Sequence, residues 1–319
     1  MRKLAGVAIL AGLAALLLLW GLWWRGGDND KPVNFIVEQG SSIASVANKL
    51  EKAGLIRSAT SFRGFAKVLG GGDPVQAGEF EIPPHSSPAG ILRLLQHGEP
   101  IQRLVTVTEG MPSIIVQERL LAIPFLTGSL PEIAEGSLLP DSYSYERGES
   151  RAAVVGRMQK AMAKTVQLLW AKRKANCPVN TPEEAVTLAS IVEKETGKAA
   201  ERRTIAGVYC NRLKIGMKLD ADPTVIYPVT KGKPLGRRIL RSELNADTGY
   251  NTYKKPGLPA GPIANPGRDS IAAVLDPAPT KALYFVADGT GGHVFAATFA
   301  EHQANVQRWY AIRRQRGEM

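Results

Sequence analysis

Residues Thr181–Gly197 read TPEEAVTLASIVEKETG, and this stretch decides how the longer half of the chain folds. Thr181 stands before Pro182, and Glu184 follows Thr181 by three residues. A hydroxyl side chain, a proline at the first helical position and an acid three residues on form a capping box, the start of a helix. Gly197 supplies the stop. Between these ends Ala185, Leu188, Ile191, Val192 and Glu195 fall on one helical face, and all but the last are apolar. The spacing predicts that this face is buried and that Glu195 is carried inward with it. Glu193 lies about 200° round the axis and is expected to face water.

A carboxyl group in that position is chemically unusual. Apolar surroundings disfavour its anion, and so does the negative end of the helix dipole in the last turn. Both effects raise the pKa toward neutrality, which is what a general acid for glycosidic bond cleavage needs. A second reading stays open at this point: a structural glutamate neutralised by Arg202 or Arg203.

C-terminal to this helix lie Val208–Leu213, Met217–Tyr227, Tyr250–Tyr253 and Gly257–Gly267, rich in Tyr, Asn, Thr, Asp, Gly and Pro. They read as loop-borne polar segments. Aromatic faces stack on sugar rings, and amides and hydroxyls bond sugar hydroxyls, so the composition suits a carbohydrate groove as well as ordinary ordered loops. Asp222, Thr224, Tyr227, Asn251 and Tyr253 are the candidate substrate-binding residues. N-terminal to the helix, Arg151–Asn176 reads as a long basic helix whose apolar stripe belongs to a core. Leu104–Thr108 reads as a strand and Pro112–Leu121 as a helix.

Residues 32–98 spell a small unit of strand, helix, helix, strand and helix. Its beginning resembles a LysM-like module of the kind that binds N-acetylglucosamine polymers, and it reads equally as a spacer. Residues 26–31 form a short polar linker. Leu4–Trp24 is apolar without one charge and long enough to cross a bilayer as a helix. Trp20, Trp23 and Trp24 cluster at its far end, where indoles favour the interface. A retained anchor over residues 1–25 is expected, with a cleaved signal peptide as the alternative. The expected class is α+β: an N-terminal transmembrane helix, a small LysM-like α+β domain and a larger mixed α+β catalytic domain over 99–319.

Composition narrows the chemistry. The 319 residues include 44% apolar types, enough for sizeable cores, and carry a net charge of +11. That charge fits an anionic lipid surface or an acidic polymer, and equally a solvated basic surface. With no basic run interleaved with aromatics, nucleic acid is not an expected partner. His85, His97, His293 and His302 form no metal-ligand spacing, so no metal is expected, and no cofactor is implied. Neither a G-x-S-x-G elbow nor a phosphate loop is present, and Asp288–His293 reads as a hairpin turn. Cys210 sits in an apolar run and reads as a buried thiol. A bridge to Cys177 is the alternative in an oxidising compartment.

Several of these segments together resemble one family. Leu188–Thr196, Asn211–Leu213, Asp222–Tyr227, Tyr250–Tyr253, Gly257–Gly267, Leu283–Ala287 and Gly292–Phe295 occur in the order found in the YceG-like family of endolytic murein transglycosylases. The resemblance implies a lytic enzyme of the bacterial cell wall, held at the inner membrane by one helix with its body in the periplasm. Glu195 matches the family's catalytic glutamate. The implied reaction cuts peptidoglycan between N-acetylmuramic acid and N-acetylglucosamine, leaves 1,6-anhydro ends and terminates nascent strands beside peptidoglycan polymerases (penicillin-binding proteins). One departure is visible. Ser137 and Leu139 stand in Glu135–Asp141 where the family has aromatics, which weakens sugar stacking at that edge. Two rivals remain at this stage: a lysozyme-like hydrolase with Asp222 as second carboxylate, and a non-catalytic wall-binding scaffold.

Overall fold

The structure is a computed structural model and describes residues 21–318. It is a mixed α+β fold with small antiparallel sheets, and the chain divides into two compact units. The expected membrane anchor falls mainly on residues 1–20, outside the described residues. Among the described residues no helix is long and apolar enough to cross a membrane.

The first unit runs up to Arg103 and includes Ser144–Gly148. Its elements are β1 (Val33–Val37), α1 (Ile43–Lys52), α2 (Ala59–Leu69), β2 (Gly78–Ile82) and α3 (Pro88–His97), the order read from the sequence. Serines start all three helices: the hydroxyls of Ser42, Ser58 and Ser87 accept from the N–H of Ser45, Ser61 and Gly90. β1 and β2 pair antiparallel with Phe35 opposite Phe80 and Val33 opposite Ile82. Strand alternation turns Phe35, Val37, Phe80 and Ile82 inward onto Val46, Leu50, Phe62, Ile91 and Leu95. Trp23 joins this core, its ring 5.8 Å from that of Phe62 and 5.3 Å from that of Phe65. The buried Glu79 would be costly alone. Its carboxylate accepts from Arg103 at 2.9 Å, Arg147 at 3.0 Å and Asn34 at 3.2 Å. Burial pushes its pKa up, but the two arginines outweigh that and hold it below the usual range.

The second unit comprises Leu104–Tyr143 and the chain from Glu149 onward. Its elements are β3 (Arg103–Val107), α4 (Ser113–Ala122), β4 (Asp141–Tyr145), α5 (Arg151–Trp170), α6 (Pro182–Glu195), α7 (Ala199–Lys214), α8 (Asp222–Thr230), α9 (Arg241–Asn245), α10 (Arg268–Leu275), β5 (Tyr284–Ala287), β6 (His293–Ala296) and α11 (Phe299–Gln315). α6 is the helix read first from the sequence, and it packs against α5, α7, α8 and α10. With neighbours on several sides, every residue from Ala185 to Val192 is buried, so burial is not confined to one face. The two polar members of that run are satisfied. Thr187 donates to the carbonyl of Glu183, and Ser190 donates to that of Thr187 while accepting from the N–H of Ile263. The cap forms as expected at Thr181, whose hydroxyl accepts from Glu184 N–H at 3.1 Å. The Glu184 carboxylate, however, takes the N–H of Asn180 rather than that of Thr181.

Three expectations are corrected here. The long helix stops at Trp170, not Asn176. Arg173 stacks 4.0 Å over the Trp170 ring and donates to its carbonyl, while Lys174 N–H bonds the carbonyl of Leu275 and turns the chain away. The segments around Val208–Leu213 and Asp222–Tyr227 are helical, in α7 and α8, rather than loops. Cys210 is buried, but not as a thiol: it forms a disulfide with Cys177. An apolar run made a buried sulfur legible, while its partner lay in a turn whose approach to α7 only the folded chain reveals. The hairpin reading of Asp288–His293 is correct. β5 and β6 pair antiparallel, and the Asp288 carboxylate accepts from Thr290 and Gly292 N–H in the turn.

The bridge closes a loop of 33 residues that contains all of α6. Loop-closure entropy assigns such a cross-link about 3–4 kcal/mol. Thermal melts with and without a strong reductant should therefore differ by several degrees, with the reduced protein melting lower.

Candidate active site

Glu195 closes α6, and Thr196 after it leaves the helix in an extended conformation. Its side chain keeps partial solvent exposure on one side while the body of the unit crowds it on the others. α7 runs beneath it. Tyr209 of α7 is 1% exposed, is wedged edge-on against Phe285 at 5.9 Å, and its hydroxyl acts on the Glu195 carboxyl. One turn further along α7, Arg212 donates to the carbonyls of Leu283 at 2.6 Å and Leu219 at 2.9 Å and lies 3.5 Å from Asp220. Asp222, the first residue of α8, accepts from the Tyr253 hydroxyl at 2.7 Å.

These neighbours set the protonation of Glu195. Burial is the largest influence and raises its pKa; the Tyr209 hydroxyl lowers it, the Asp222 charge raises it, and Arg212 lowers it. The result is a carboxyl group pushed up to about 7. At neutral pH it exists in both forms, able to give a proton and to take one back. Tyr209 is held well above its ordinary value by burial and by Glu195, so it stays a hydrogen-bond donor.

Glu193 reverses expectation. Its side chain is 6% exposed rather than solvated; it accepts from Gly267 N–H at 2.8 Å and lies 3.8 Å from Arg202. Arg202 also faces Glu109 at 3.6 Å and Asp269 at 3.5 Å. The reason is packing, because α10 and the Gly267 turn cover the side of α6 that the spacing assigned to water. The structural arginine partner considered for Glu195 thus serves Glu193, two residues earlier.

A second acidic cluster was not picked out from the sequence. Glu135 accepts from Ser113 N–H at 2.9 Å and from its hydroxyl at 3.0 Å, and it is hydrogen-bonded to Tyr227. Burial nevertheless raises its pKa above the usual range. Tyr227 lies 4.9 Å from the Tyr250 ring. Asn265, fully buried, donates to the Met111 carbonyl and to the Ser113 hydroxyl and accepts from Leu138 N–H, tying three turns together. The available signal was Glu135–Asp141, which read as turn-rich and as a departure from the family pattern. Tyr209 and Arg212 were also missed, because a helix looked like an apolar run followed by a polar loop.

The five candidate binding residues divide into two groups. Asp222 and Tyr253 meet beside Glu195, and Tyr227 stands with Glu135 and Tyr250. Thr224 and Asn251 do not present polar groups to a ligand. Thr224 is fully buried, donates to the Ala221 carbonyl at 2.6 Å and meets the Thr252 hydroxyl at 2.9 Å. Asn251 is 5% exposed and its amide donates to the carbonyls of Glu243, Leu244 and Ala246. Burial turns these two polar residues inward, where Thr224 braces α8 and Asn251 the end of α9. Among the described residues no group of His, Cys, Asp and Glu is arranged to hold a metal ion.

Residues 35–308 match the model of the YceG-like family. The chain belongs to the YceG-like family. The endolytic murein transglycosylase of Bacillus subtilis is 30% identical over 91% of this chain and 88% of its own length. The endolytic murein transglycosylase of Streptococcus pneumoniae R6 is also 30% identical; the match covers 88% of this chain but 58% of that longer protein. The crystal structure of a putative YceG-like protein from Listeria monocytogenes superposes with a TM-score of 0.54 at 26% identity, covering 86% of this chain and 98% of that one.

The raised pKa of Glu195 links folding to pH. The folded state binds this proton more tightly than the unfolded chain, so the group contributes no penalty below about pH 4.5. A penalty then grows as pH rises toward 7 and levels off above it, reaching at most about 3 kcal/mol. Glu195→Gln removes it. The variant should melt higher than the wild type at pH 8 and equally at pH 4, as scanning calorimetry at the two pH values would measure. Tyr209→Phe removes the hydroxyl that favours the anion, so NMR titration of a labelled Glu195 carboxyl should give a midpoint above the wild-type value.

Proposed function

We propose that this chain is an endolytic peptidoglycan lytic transglycosylase that cleaves the bond between N-acetylmuramic acid and N-acetylglucosamine. The observation that carries the reading is the carboxyl group of Glu195, poised near neutrality at the partly open end of a buried helix. The names of the relatives agree with it. Protonated Glu195 donates to the glycosidic oxygen as the bond from that oxygen to the anomeric carbon breaks. The 6-hydroxyl of the same muramic residue attacks the anomeric carbon, and its proton passes to the Glu195 carboxylate. One fragment ends in a 1,6-anhydro ring and the other in a free 4-hydroxyl, and the acid is restored without water or a nucleophilic carboxylate. This departs from the two-carboxylate hydrolytic scheme. The Tyr209 hydroxyl orients the acid and steadies its anion between the two proton transfers. Asp222 with Tyr253, and Tyr227, are the polar and aromatic groups offered to the sugars, while Thr224 and Asn251 shape their segments.

The same arrangement supports a hydrolytic reading through one observation. Asp222 is an exposed carboxylate whose charge reaches Glu195, where it could orient a water. The chemistry of the new chain end separates the two readings.

The setting is proposed on the same footing. The apolar run that begins at Leu4 and ends before the buried Trp23 anchors the chain in the inner membrane and places its body in the periplasm, a compartment in which the Cys177–Cys210 bridge persists. Residues 32–98 form the LysM-like unit, and residues 99–319 the catalytic domain. Cutting strands at the membrane terminates elongation by neighbouring peptidoglycan polymerases (penicillin-binding proteins).

Mass spectrometry of uncrosslinked glycan strands after digestion is the test. The wild type should yield 1,6-anhydro ends, and reducing ends would establish the hydrolase. Glu195→Gln should cut at least about 100-fold more slowly. An equally active variant would leave this chain without its proposed acid. Activity should fall as pH rises through about 7, where the acid loses its proton.

A further inference from the structure

The chemistry proposed for Glu195 leaves one side of the first unit unexplained. Trp23 is 2% exposed and packed on Phe62 and Phe65, so the chain around it is pinned to α2 rather than trailing from it. The Leu22 side chain beside it is turned outward and 47% exposed, and Trp24 is half exposed. On α2 itself, Val68 and Leu69 follow Phe65 by three and four residues, which places them on the side of the helix that meets Trp23. They are 80% and 55% exposed, unusual for the end of a helix whose other large apolar residues are covered. Arg25, Arg63 and Lys67 are exposed on the same two segments. Apolar side chains flanked by bases suit the interface of an anionic bilayer, where leucine, valine and tryptophan bury and lysine and arginine reach the headgroups.

The sequence also indicates what covers this side. The uncharged run from Leu4 to Leu22 leads without a polar spacer into Trp23, the residue docked on α2. A bilayer that takes up that run therefore lies beside Leu22, and the polar linker comes only after the docked tryptophan. The geometry points to a second, peripheral membrane contact: Leu22, Val68 and Leu69 form a lipid-interface surface, so that the small unit rests on the bilayer through the C-terminal end of α2. This inference rests on the reading of Leu4–Trp24 as a membrane anchor. It assigns α2 a lipid partner independently of any glycan that the unit binds.

Site-directed fluorescence on the full chain tests it. Leu22→Cys, Val68→Cys and Glu81→Cys are each labelled with a polarity-sensitive maleimide dye, the native cysteines being closed to the reagent by their disulfide. Position 81 is an exposed site on β2, which serves as the control. The proteins are reconstituted into phosphatidylethanolamine–phosphatidylglycerol vesicles containing lipids with a nitroxide near the acyl carbonyl. Dyes at 22 and 68 should shift to the blue and be quenched, position 68 to at least half the extent of position 22, with position 81 unaffected. Quenching at 22 alone would overturn the α2 surface and leave the anchor standing. No quenching at either position would remove the anchor and the surface together. A blue shift at 68 without quenching would mean that protein, such as a second copy of this chain, covers the patch instead of lipid, and equal quenching at all three positions would also refute it.

Discussion

The burial of the Glu195 carboxyl beside Tyr209, at the end of a buried helix, is the constraint on which the rest of the second unit turns. A carboxyl group resists apolar surroundings unless its charge is neutralised or given up. Here it meets a phenol that cannot itself ionise, and Arg212, whose guanidinium is committed to backbone carbonyls and to Asp220. The group is therefore neither locked as an anion nor forced to remain neutral. That intermediate condition is what the proposed two-way proton transfer requires, and it depends on α6, α7 and α8 all being where they are.

The surrounding structure fixes those helices. The disulfide ties the approach to α6 to the middle of α7, beside Tyr209. Glu193 absorbs the charge of Arg202 and caps the Gly267 turn, which keeps that cation away from the acid two residues on. The Thr224–Thr252 contact holds the start of α8 against the Tyr250–Tyr253 turn, which the Asn251 amide ties to the end of α9, and the Tyr253 hydroxyl donates to Asp222 across the same junction. Residues that looked like ligand contacts are better understood as the brace behind those contacts. Asn265 does the same work for Glu135, gathering the turns at Met111, Ser113 and Leu138 around it.

Much of this was legible beforehand, for identifiable reasons. Helix starts follow from local chemistry: a threonine hydroxyl satisfies an N–H within three residues, and so Thr181 marked the start of α6 correctly. Alternation in Asn34–Glu38 and Glu79–Ile82 marks the strands of the small unit because one sheet face is buried. The misreadings came from elements with no single wet face. α7 has apolar and polar residues on most sides, several of them charged yet buried, and its periodicity is accordingly flat. α8 opens with Asp-Pro and contains a second proline at 228, a composition that resembles a loop. Glu193 was assigned to water because a helix wheel knows only its own residues.

The sequence by itself determined the α+β class, the capped helix ending in a glutamate, the order of elements in the small unit and the family. All of these depend on contacts between residues close in the chain, or on motifs kept in order. Only the tertiary structure decided which acid stays near neutrality and which is paired with arginine, which polar side chains turn inward, and that two cysteines 33 residues apart are joined. Those outcomes depend on what packs against a group from elsewhere in the chain. Burial and charge act through space, and a one-dimensional pattern does not carry those distances.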